Sequence, residues 1–382
     1  MGRYLNPGME SFEKSVNSEI YVDKTGLIGY TNRVMNTLQG YVCVSRPRRF
    51  GKSMAANMLT AYYSRGCDSR EIFSKFEISE SPDFEKYRNK YNTIFLNMQE
   101  FLSRSDSVEA LVDRVKKLVL RDLKREYPDV DYFDDTDLVE SMQDIYETEK
   151  CPFVVIIDEW DCIFREFRQN KEAQEKYLDF LRDLLKDKAC IHLAYMTGIL
   201  PIKKYGTHSA LNMFDEFSMI NPGPLAPYVG FTEVEVEYLC HKYRMDMEEV
   251  KAWYDGYSFS MAASVYSPRS VVNSMLFGKI ENYWNQTETF EALQVYIDMN
   301  FDGLKDDVLS MLAGERIPVN TGSFTNDMTT FRTEDDVLTL LIHLGYLAYD
   351  SENKVVKIPN NEVRNEYVNS VAASDWARYQ LR

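Results

Sequence analysis

The stretch Arg46-Pro-Arg-Arg-Phe-Gly-Lys-Ser53 decides the fold because of what stands on either side of it. Gly40–Ser45 before it is a short, apolar, β-branched run that predicts a buried strand. Met54–Arg65 after it has apolar residues at helical spacing. A strand, a basic turn with a glycine and a helix, in this order, are the local setting of a phosphate-binding loop.

The turn matches the pattern G-x-x-x-x-G-K-[ST] except at its first glycine, where Arg46 stands. Gly51 lets successive N–H groups approach phosphate oxygens, Lys52 places a charge on the β- and γ-phosphates, and the Ser53 hydroxyl suits Mg²⁺. The alternative is a basic turn that contains Gly-Lys-Ser by chance. The flanking elements favour ATP binding, for which we predict these residues: Arg46, Pro47, Arg48, Arg49, Phe50, Gly51, Lys52, Ser53 and Met54.

A second signal is the apolar run Phe153–Ile157, which ends in Asp158 and Glu159 and predicts a Walker B strand. Asp158 would hold Mg²⁺, and Glu159 would activate the attacking water, so we assign catalytic roles to Glu159 and Lys52. Solvated acids at a strand end are the alternative. Thr197 ends a later strand and would contact the γ-phosphate, although a simple Thr-Gly turn explains it equally well.

Further apolar runs at Asn92–Met98 and Ile191–Gly198 predict strands, and Ser107–Tyr127 predicts an amphipathic helix. Strands and helices thus alternate from about residue 20 to about residue 222, which predicts an α/β fold with a mainly parallel sheet flanked by helices. The Pro- and Gly-rich segment 221–227 predicts a boundary, and after it Thr232 and Glu235 predict a capping box at the start of a helix. We therefore predict a P-loop ATPase domain over 1–225, a mostly helical lid over 226–330, and a winged-helix-like element with a tail over 331–382. A small capping hairpin is the alternative for that last element.

The charge, the apolar runs and the cysteines of the chain indicate which classes of protein it does not resemble. The chain of 382 residues has 44 basic and 60 acidic residues, so its formal charge is 44 − 60 = −16. Such an acidic surface does not favour a protein that coats nucleic acid. We find no apolar run long enough for a membrane span, and the six dispersed cysteines form no metal-binding pattern. We therefore expect a cytoplasmic protein with no membrane association.

These motifs together resemble the bacterial AAA-ATPase-like family, whose members often carry a C-terminal PD-(D/E)XK nuclease-like domain. The resembling segments run in the same order along the chain: Tyr21-Val-Asp-Lys-Thr25, Arg46-Pro-Arg-Arg-Phe-Gly-Lys-Ser53, Ile156-Ile-Asp-Glu159, Thr197-Gly198, Trp253-Tyr-Asp-Gly-Tyr257, Tyr266-Ser-Pro-Arg-Ser-Val271 and Ile358-Pro-Asn-Asn-Glu-Val363. The resemblance implies ATP binding, a P-loop fold of the AAA/STAND type and ATPase activity. In that family a loop without the first glycine is usual.

The resemblance departs from the family at two places. Arg269 stands where the family more often has an aromatic residue, and only 19 residues follow Val363. A nuclease domain needs on the order of 100 residues. We therefore expect no nuclease activity: either a longer chain carries that domain or this member lacks it.

Three functions remain open at this point. The first is a Mg²⁺-dependent ATPase, and the second is a non-hydrolysing nucleotide-binding switch or scaffold. The third is a nucleic-acid-associated accessory protein that uses the basic helix near 114–125. A protein partner or a homo-oligomer fits any of them. Further candidates for phosphate contacts are Lys203, Lys204 and Arg269, and a solvated charge is the simpler fate of each.

Overall fold

A computed structural model describes residues 2–202, 211–259, 262–284, 293, 295, 301–325 and 331–373. Lys203 and Lys204 lie outside the described residues. The chain divides into two compact units. The first contains the residues up to Ser45 together with Lys52–Glu216, and the second contains Arg46–Gly51 together with the residues from Phe217 onwards. The three-domain division at 225 and 330 stays a prediction.

The first unit is built around a sheet whose four parallel strands follow the predicted apolar runs closely. The strands are β1 (Tyr41–Ser45), β2 (Asn92–Asn97), β3 (Phe153–Asp158), β4 (Ile191–Gly198) and β5 (Asp215–Phe217), and their order across the sheet is β2-β3-β4-β1-β5. The pairs β2–β3, β3–β4 and β4–β1 are parallel. Every residue of β3 is buried, as a parallel sheet covered on both faces requires.

Strand register aligns the carboxyl ends of the four parallel strands. Asn97 is opposite Asp158, Asp158 is opposite Thr197, and Thr197 is opposite Val44. Because β4 lies between β1 and β3, the end of β4 lies between the end of β1, which precedes the basic turn, and the end of β3, which carries Asp158. Polar groups from three parts of the sequence therefore share one edge of the sheet.

Helices flank this sheet. Their bounds are α1 (Glu10–Val16), α2 (Gly26–Val34), α3 (Lys52–Tyr63), α4 (Arg70–Phe73), α5 (Phe84–Tyr87), α6 (Met98–Leu102), α7 (Val108–Glu126), α8 (Leu138–Glu149), α9 (Cys162–Glu166) and α10 (Lys171–Leu185). The helix α3 packs on β2, β3 and β4, and α7 packs against α8 and α10. The predicted helix over 107–127 is confirmed, and Ser107 caps it by accepting the Ala110 N–H.

The second unit is mostly helical, with two small antiparallel sheets. Its helices are α11 (Glu233–Tyr243), α12 (Met247–Tyr254), α13 (Pro268–Phe277), α14 (Leu304–Leu312), α15 (Glu334–Leu344) and α16 (Asn361–Ala373). Its strands are β6 (Phe231–Thr232), β7 (Tyr257–Phe259), β8 (Ala262–Tyr266), β9 (Ile317–Pro318), β10 (Ala348–Asp350) and β11 (Val355–Lys357). They form sheets in the orders β6-β8-β7 and β10-β11-β9.

Two local predictions in the second unit are confirmed. Thr232 and Glu235 form a capping box at the start of α11, where the Thr232 N–H donates to the Glu235 carboxylate at 2.7 Å. The helix α15 is followed by the hairpin β10–β11. The aromatic cluster around Gly256 serves packing, since Tyr254, Tyr257 and Tyr266 are buried. In the described part of the chain, no helix has the length and apolar character that crossing a bilayer needs.

Candidate nucleotide-binding site

Lys52 and Ser53 form the first turn of α3, directly after the basic loop. Lys52 is only 5% exposed. Burial lowers the pKa of Lys52, while the carboxylates of Glu159, Asp161 and Asp158 oppose that change. The structure therefore brings the predicted phosphate-binding lysine and the predicted Walker B acids together within the first unit.

Asp158, the last residue of β3, is 1% exposed. Its carboxylate accepts a hydrogen bond from the Ser53 hydroxyl, and its Oδ2 lies 3.5 Å from Nδ2 of Asn97. Burial raises the pKa of Asp158 to about 6. A hydroxyl and a buried carboxylate that meet in this way are a donor set suited to Mg²⁺, which prefers oxygen ligands.

Glu159 follows Asp158 in a left-handed backbone conformation, with φ at 55°. This conformation is uncommon for a residue other than glycine, and it turns the chain sharply at the end of the strand. The Glu159 carboxylate is paired with Arg165 of α9. The sequence pattern did not indicate Arg165, whose only signal is that it is a basic residue in the short helix after the acids.

Asp161, two residues after Glu159, is fully buried. Its Oδ2 accepts the backbone N–H groups of Ile199 and Leu200 at 3.0 and 2.8 Å. Nε of Arg165 lies 3.4 Å from the same oxygen. Asp161 thus ties the segment after β3 to the segment after β4, and Arg165 joins both acids of this turn.

Thr197 lies beside Asp158 at the end of β4. Its hydroxyl is buried, and among the described residues it has no hydrogen-bond partner. The next residue, Gly198, has no room for a side chain, since a Cβ there would lie 2.7 Å from Oδ1 of Asp161 and 2.8 Å from the ring of Trp160. Buried hydroxyls normally have partners, so the Thr197 hydroxyl suits a polar ligand.

The loop residues before Lys52 make their described contacts within the second unit. Nη1 of Arg46 donates to the carbonyl of Phe217 at 3.0 Å, and the Arg46 guanidinium lies 5.4 Å from the ring centre of Phe259. Nη1 of Arg49 donates to the carbonyl of Tyr283 at 2.9 Å. These two side chains serve packing, and a role in phosphate binding stays a prediction for them.

Phe50 and Gly51 are the last two residues of the loop before α3. The ring of Phe50 packs edge-on against the ring of Tyr257, with 5.5 Å between the ring centres. Gly51 has φ at 89°, a conformation that favours glycine, and this explains the glycine before Lys52. For Pro47, Arg48 and Met54, phosphate binding also stays a prediction.

A parallel sheet with a strand, a glycine turn and a helix that begins with Lys52-Ser53 defines the class of P-loop nucleotide-binding proteins. Asp158 ends β3 and Glu159 follows it, and a Walker B role stays a prediction for both acids. The chain belongs to the AAA-ATPase-like family. The family model, described as "Predicted AAA-ATPase", matches residues 6–207, which is more than half of the chain.

Comparison with curated proteins gives one relative of unknown function. An uncharacterized protein in the vnfD 5' region of Azotobacter chroococcum mcd 1 is 25% identical over 297 residues. The match covers 74% of this chain and 54% of that protein, so the chain spans about half the length of its curated relative.

Similar solved structures include ORC and Cdc6p proteins. The Aeropyrum pernix ORC2 protein, in ADPNP–ADP complexes, has a TM-score of 0.36 and 11% identity over 93% of this chain and 97% of its own. The Aeropyrum pernix ORC1 protein, in complex with DNA, has a TM-score of 0.31 and 9% identity, with both chains fully covered. Cdc6p from Pyrobaculum aerophilum has a TM-score of 0.30 and 9% identity over 97% of this chain and 99% of its own.

Proposed function

We propose that the protein is a Mg²⁺-dependent ATPase that uses a degenerate Walker A loop and the Walker B pair Asp158-Glu159. One observation carries the proposal: Lys52, Ser53 and Asp158 meet at the end of a parallel sheet, beside the buried Thr197 hydroxyl. A lysine charge, two oxygen ligands and a hydroxyl are the groups that a triphosphate with its metal ion needs.

The phosphate groups of ATP would be bound by Lys52 and by backbone N–H groups of the loop 46–54. Three arginines of the second unit support an anionic ligand near this loop. Burial lowers the pKa of Arg49, as do the nearby positive charges of Arg269 and Arg48, while the Glu362 carboxylate opposes them. Like charges repel one another, and an anion would relieve that repulsion.

Ser53 and Asp158 would hold Mg²⁺, which would screen the charge of the phosphates when bound. The fit rests on the hydroxyl and the buried carboxylate that already contact each other. Glu159 would accept a proton from the attacking water, and the Thr197 hydroxyl would donate to a γ-phosphate oxygen or to that water.

Two substitutions test this function. Lys52→Ala should abolish the rise in melting temperature that ATP and Mg²⁺ produce, because the phosphate charge loses its partner. Glu159→Gln should keep that rise but abolish phosphate release. The exposed residues Lys117 and Glu140 provide matched controls as Lys117→Ala and Glu140→Gln. Wild-type protein that shows neither a melting shift nor phosphate release would refute the proposal.

A non-hydrolysing nucleotide switch is the second candidate, and the ion pair between Glu159 and Arg165 favours it, since the proposed base is already engaged. A melting shift with ATP in the absence of phosphate release by wild-type protein would support this candidate. The same two measurements therefore separate the two functions.

Nucleic-acid association has less support. On the basic helix α7, Lys124 is paired with Asp135 at 2.7 Å, and Nζ of Lys116 lies 5.9 Å from the ring centre of Phe180. The ion pair of Lys124 reduces the charge that α7 offers to phosphates, whereas Lys116 keeps its charge beside the neutral ring. A protein partner or a homo-oligomer stays a proposal. So does a cytoplasmic location, for which the free state of all six cysteines is the support.

A further inference from the structure

We propose that Glu362 is a positioning residue that fixes the conformation of the loop 46–51 by holding the peptide group to which Arg49 is bound. This inference rests on the proposed function for its ligand, ATP, and it assigns a role to a residue outside both Walker motifs. Glu362 would touch neither the nucleotide nor the metal ion, and it would act through Arg49. Every contact that carries the inference lies within the second unit.

Glu362 is a fully buried carboxylate with hydrogen bonds to both of its oxygens. It lies in the first turn of α16. Oε1 accepts the backbone N–H groups of Tyr283 and Trp284 at 2.7 and 3.0 Å, and Oε2 accepts the hydroxyl of Ser270 at 2.9 Å. A buried carboxylate with several donors has one preferred orientation, so the helix α16 holds the backbone at 283–284 in place.

The peptide group between Tyr283 and Trp284 connects Glu362 to Arg49. The N–H at one end of this group donates to Glu362, and the carbonyl at the other end accepts Nη1 of Arg49 at 2.9 Å. A peptide group is planar, so a fixed N–H also fixes the direction of the carbonyl. Glu362 therefore directs this carbonyl toward Arg49, and the hydrogen bonds at the two ends strengthen each other.

Trp284 makes two further contacts that support this arrangement. Its backbone N also lies 2.9 Å from Oδ1 of Asn282. Its ring lies against Gly345, where a Cβ would be 3.0 Å from the ring and 2.7 Å from Cγ of Pro47. The ring and Pro47 therefore lie side by side over the backbone of Gly345, so the segment 282–284 is near the loop at Pro47 as well as at Arg49.

The loop 46–51 needs such support because of its backbone. Arg49 has φ at 69° and Gly51 has φ at 89°. The left-handed conformation is uncommon for a residue with a side chain, so the hydrogen bond of Arg49 stabilises a loop shape that its own backbone does not favour. The proposed function uses the backbone N–H groups of this loop. Groups that are already oriented bind a ligand more tightly than groups that binding must order.

Two substitutions separate the position of the Glu362 side chain from its charge. In Glu362→Gln the amide oxygen accepts both N–H groups, and the amide N–H donates to Ser270, whose own hydrogen turns to Oγ of Ser267 at 3.3 Å. The Kd for ATP with Mg²⁺ should therefore stay within about twofold of wild type. Glu362→Asp keeps the charge but is shorter by a methylene group, so it loses the peptide group and the Kd should rise about fivefold or more. An effect of charge alone would give the opposite order.

Asp336 provides the matched control for lost stability. It is 2% exposed, and it accepts the backbone N–H of Arg332 at 2.8 Å and the hydroxyl of Ser323 at 2.9 Å. These contacts resemble those of Glu362, but they hold the start of α15. Asp336→Ala should therefore lower the melting temperature, as Glu362→Asp does, and leave the Kd for ATP near that of wild type. An equal rise in Kd in this control would overturn the proposal.

A second assay needs no nucleotide. Trypsin cleaves after arginine but not before proline, so the loop has cleavage sites after Arg48 and Arg49 but not after Arg46. Cleavage of a native loop follows the population of its open form. Below the melting temperature of every variant, trypsin should cleave this loop about fivefold faster in Glu362→Asp than in wild type. Glu362→Gln and Asp336→Ala should have the wild-type rate, measured by mass spectrometry of the fragments.

A double variant tests the route through Arg49. If Glu362 acts through Arg49, Glu362→Asp combined with Arg49→Ala should have the Kd of Arg49→Ala alone. Additive losses would overturn this route.

The outcomes separate this inference from the proposed function. Wild-type protein that neither binds nor hydrolyses ATP would refute the ATPase proposal, while faster cleavage of the loop in Glu362→Asp would still support the role of Glu362. A wild-type Kd or a wild-type cleavage rate in Glu362→Asp would overturn that role. So would losses in Glu362→Gln as large as those in Glu362→Asp. Because Glu362→Gln preserves the hydrogen bonds, its result remains decisive if the shorter side chain prevents folding.

Discussion

Replacing Asp158 with asparagine should make the ligand-free protein more stable near neutral pH, although Asp158 is central to the proposed site. The carboxyl is 1% exposed, and burial raises its pKa from 3.8 to about 6. A shift of roughly two pH units, at about 1.4 kcal/mol each, corresponds to about 3 kcal/mol. This is the free energy by which the folded state disfavours the charged form of Asp158.

The sign follows from proton linkage. The folded state binds this proton more tightly than the unfolded state, so stability is lost as pH rises from 3.8 through about 6. Asparagine resembles the neutral acid and has no such loss. The variant should therefore match wild type near pH 4 and exceed it by roughly 3 kcal/mol above pH 6.

Urea denaturation of wild type and Asp158→Asn, at intervals from about pH 4 to pH 8, measures this difference. Asp113 is exposed on α7, and Asp113→Asn makes the same chemical change without burial, so its difference from wild type should be small at every pH. Addition of ATP and Mg²⁺ should stabilise wild type but not Asp158→Asn. A difference that does not vary with pH, or a wild type that is the more stable protein at pH 7.5 without ligand, would refute the reasoning.

Two further predictions concern backbone space and buried charge. Gly198→Ala would bring a Cβ within 2.8 Å of Asp161 and Trp160. We therefore expect the free energy of unfolding, measured by urea denaturation, to fall by about 1–3 kcal/mol and the ATPase activity to fall as well. A variant with the stability and activity of wild type would contradict this. Burial raises the pKa of Glu362 from 4.5 to about 7, so stability should fall by roughly 3 kcal/mol as pH rises between these values. Glu362→Gln should flatten that slope, and an unchanged slope would show that another group is responsible.

Local patterns in the sequence predicted most of the first unit. The strand over 191–198 has the predicted bounds, and the other three parallel strands differ by a residue or two at their ends. Burial on both faces produces continuous apolar runs, which are easy to recognise. The position of β4 between β1 and β3 was not predictable in the same way, because strand order depends on contacts between distant parts of the chain.

In the second unit the sequence predicted helices but not the sheet β6-β8-β7. Its strands are only two to five residues long, as Phe231–Thr232 and Ala262–Tyr266 illustrate, and so short a run has no measurable period. The capping box at Thr232 was predictable because both of its partners lie within three residues of each other.

The candidate site shows the same limit at the level of side chains. The pattern indicated Lys52, Ser53 and Asp158 because their chemistry is tied to a recognisable loop and strand end. It did not indicate Arg165, whose role depends on which carboxylate its guanidinium meets in space. It also did not reveal that the Arg46 side chain is enclosed against a carbonyl and an aromatic ring.

Trp160 gives this site an optical reporter of its own. Trp160 lies between Glu159 and Asp161 in the sequence, and its indole is fully buried. The Trp160 backbone N–H donates to the carbonyl of Thr197 at 3.1 Å. Among the described residues, its ring nitrogen has no hydrogen-bond partner. The chain has four tryptophans, so replacing the other three with phenylalanine would leave Trp160 emission as a report on the polarity at the strand ends. Nucleotide binding at this site would then be readable by fluorescence without any attached dye.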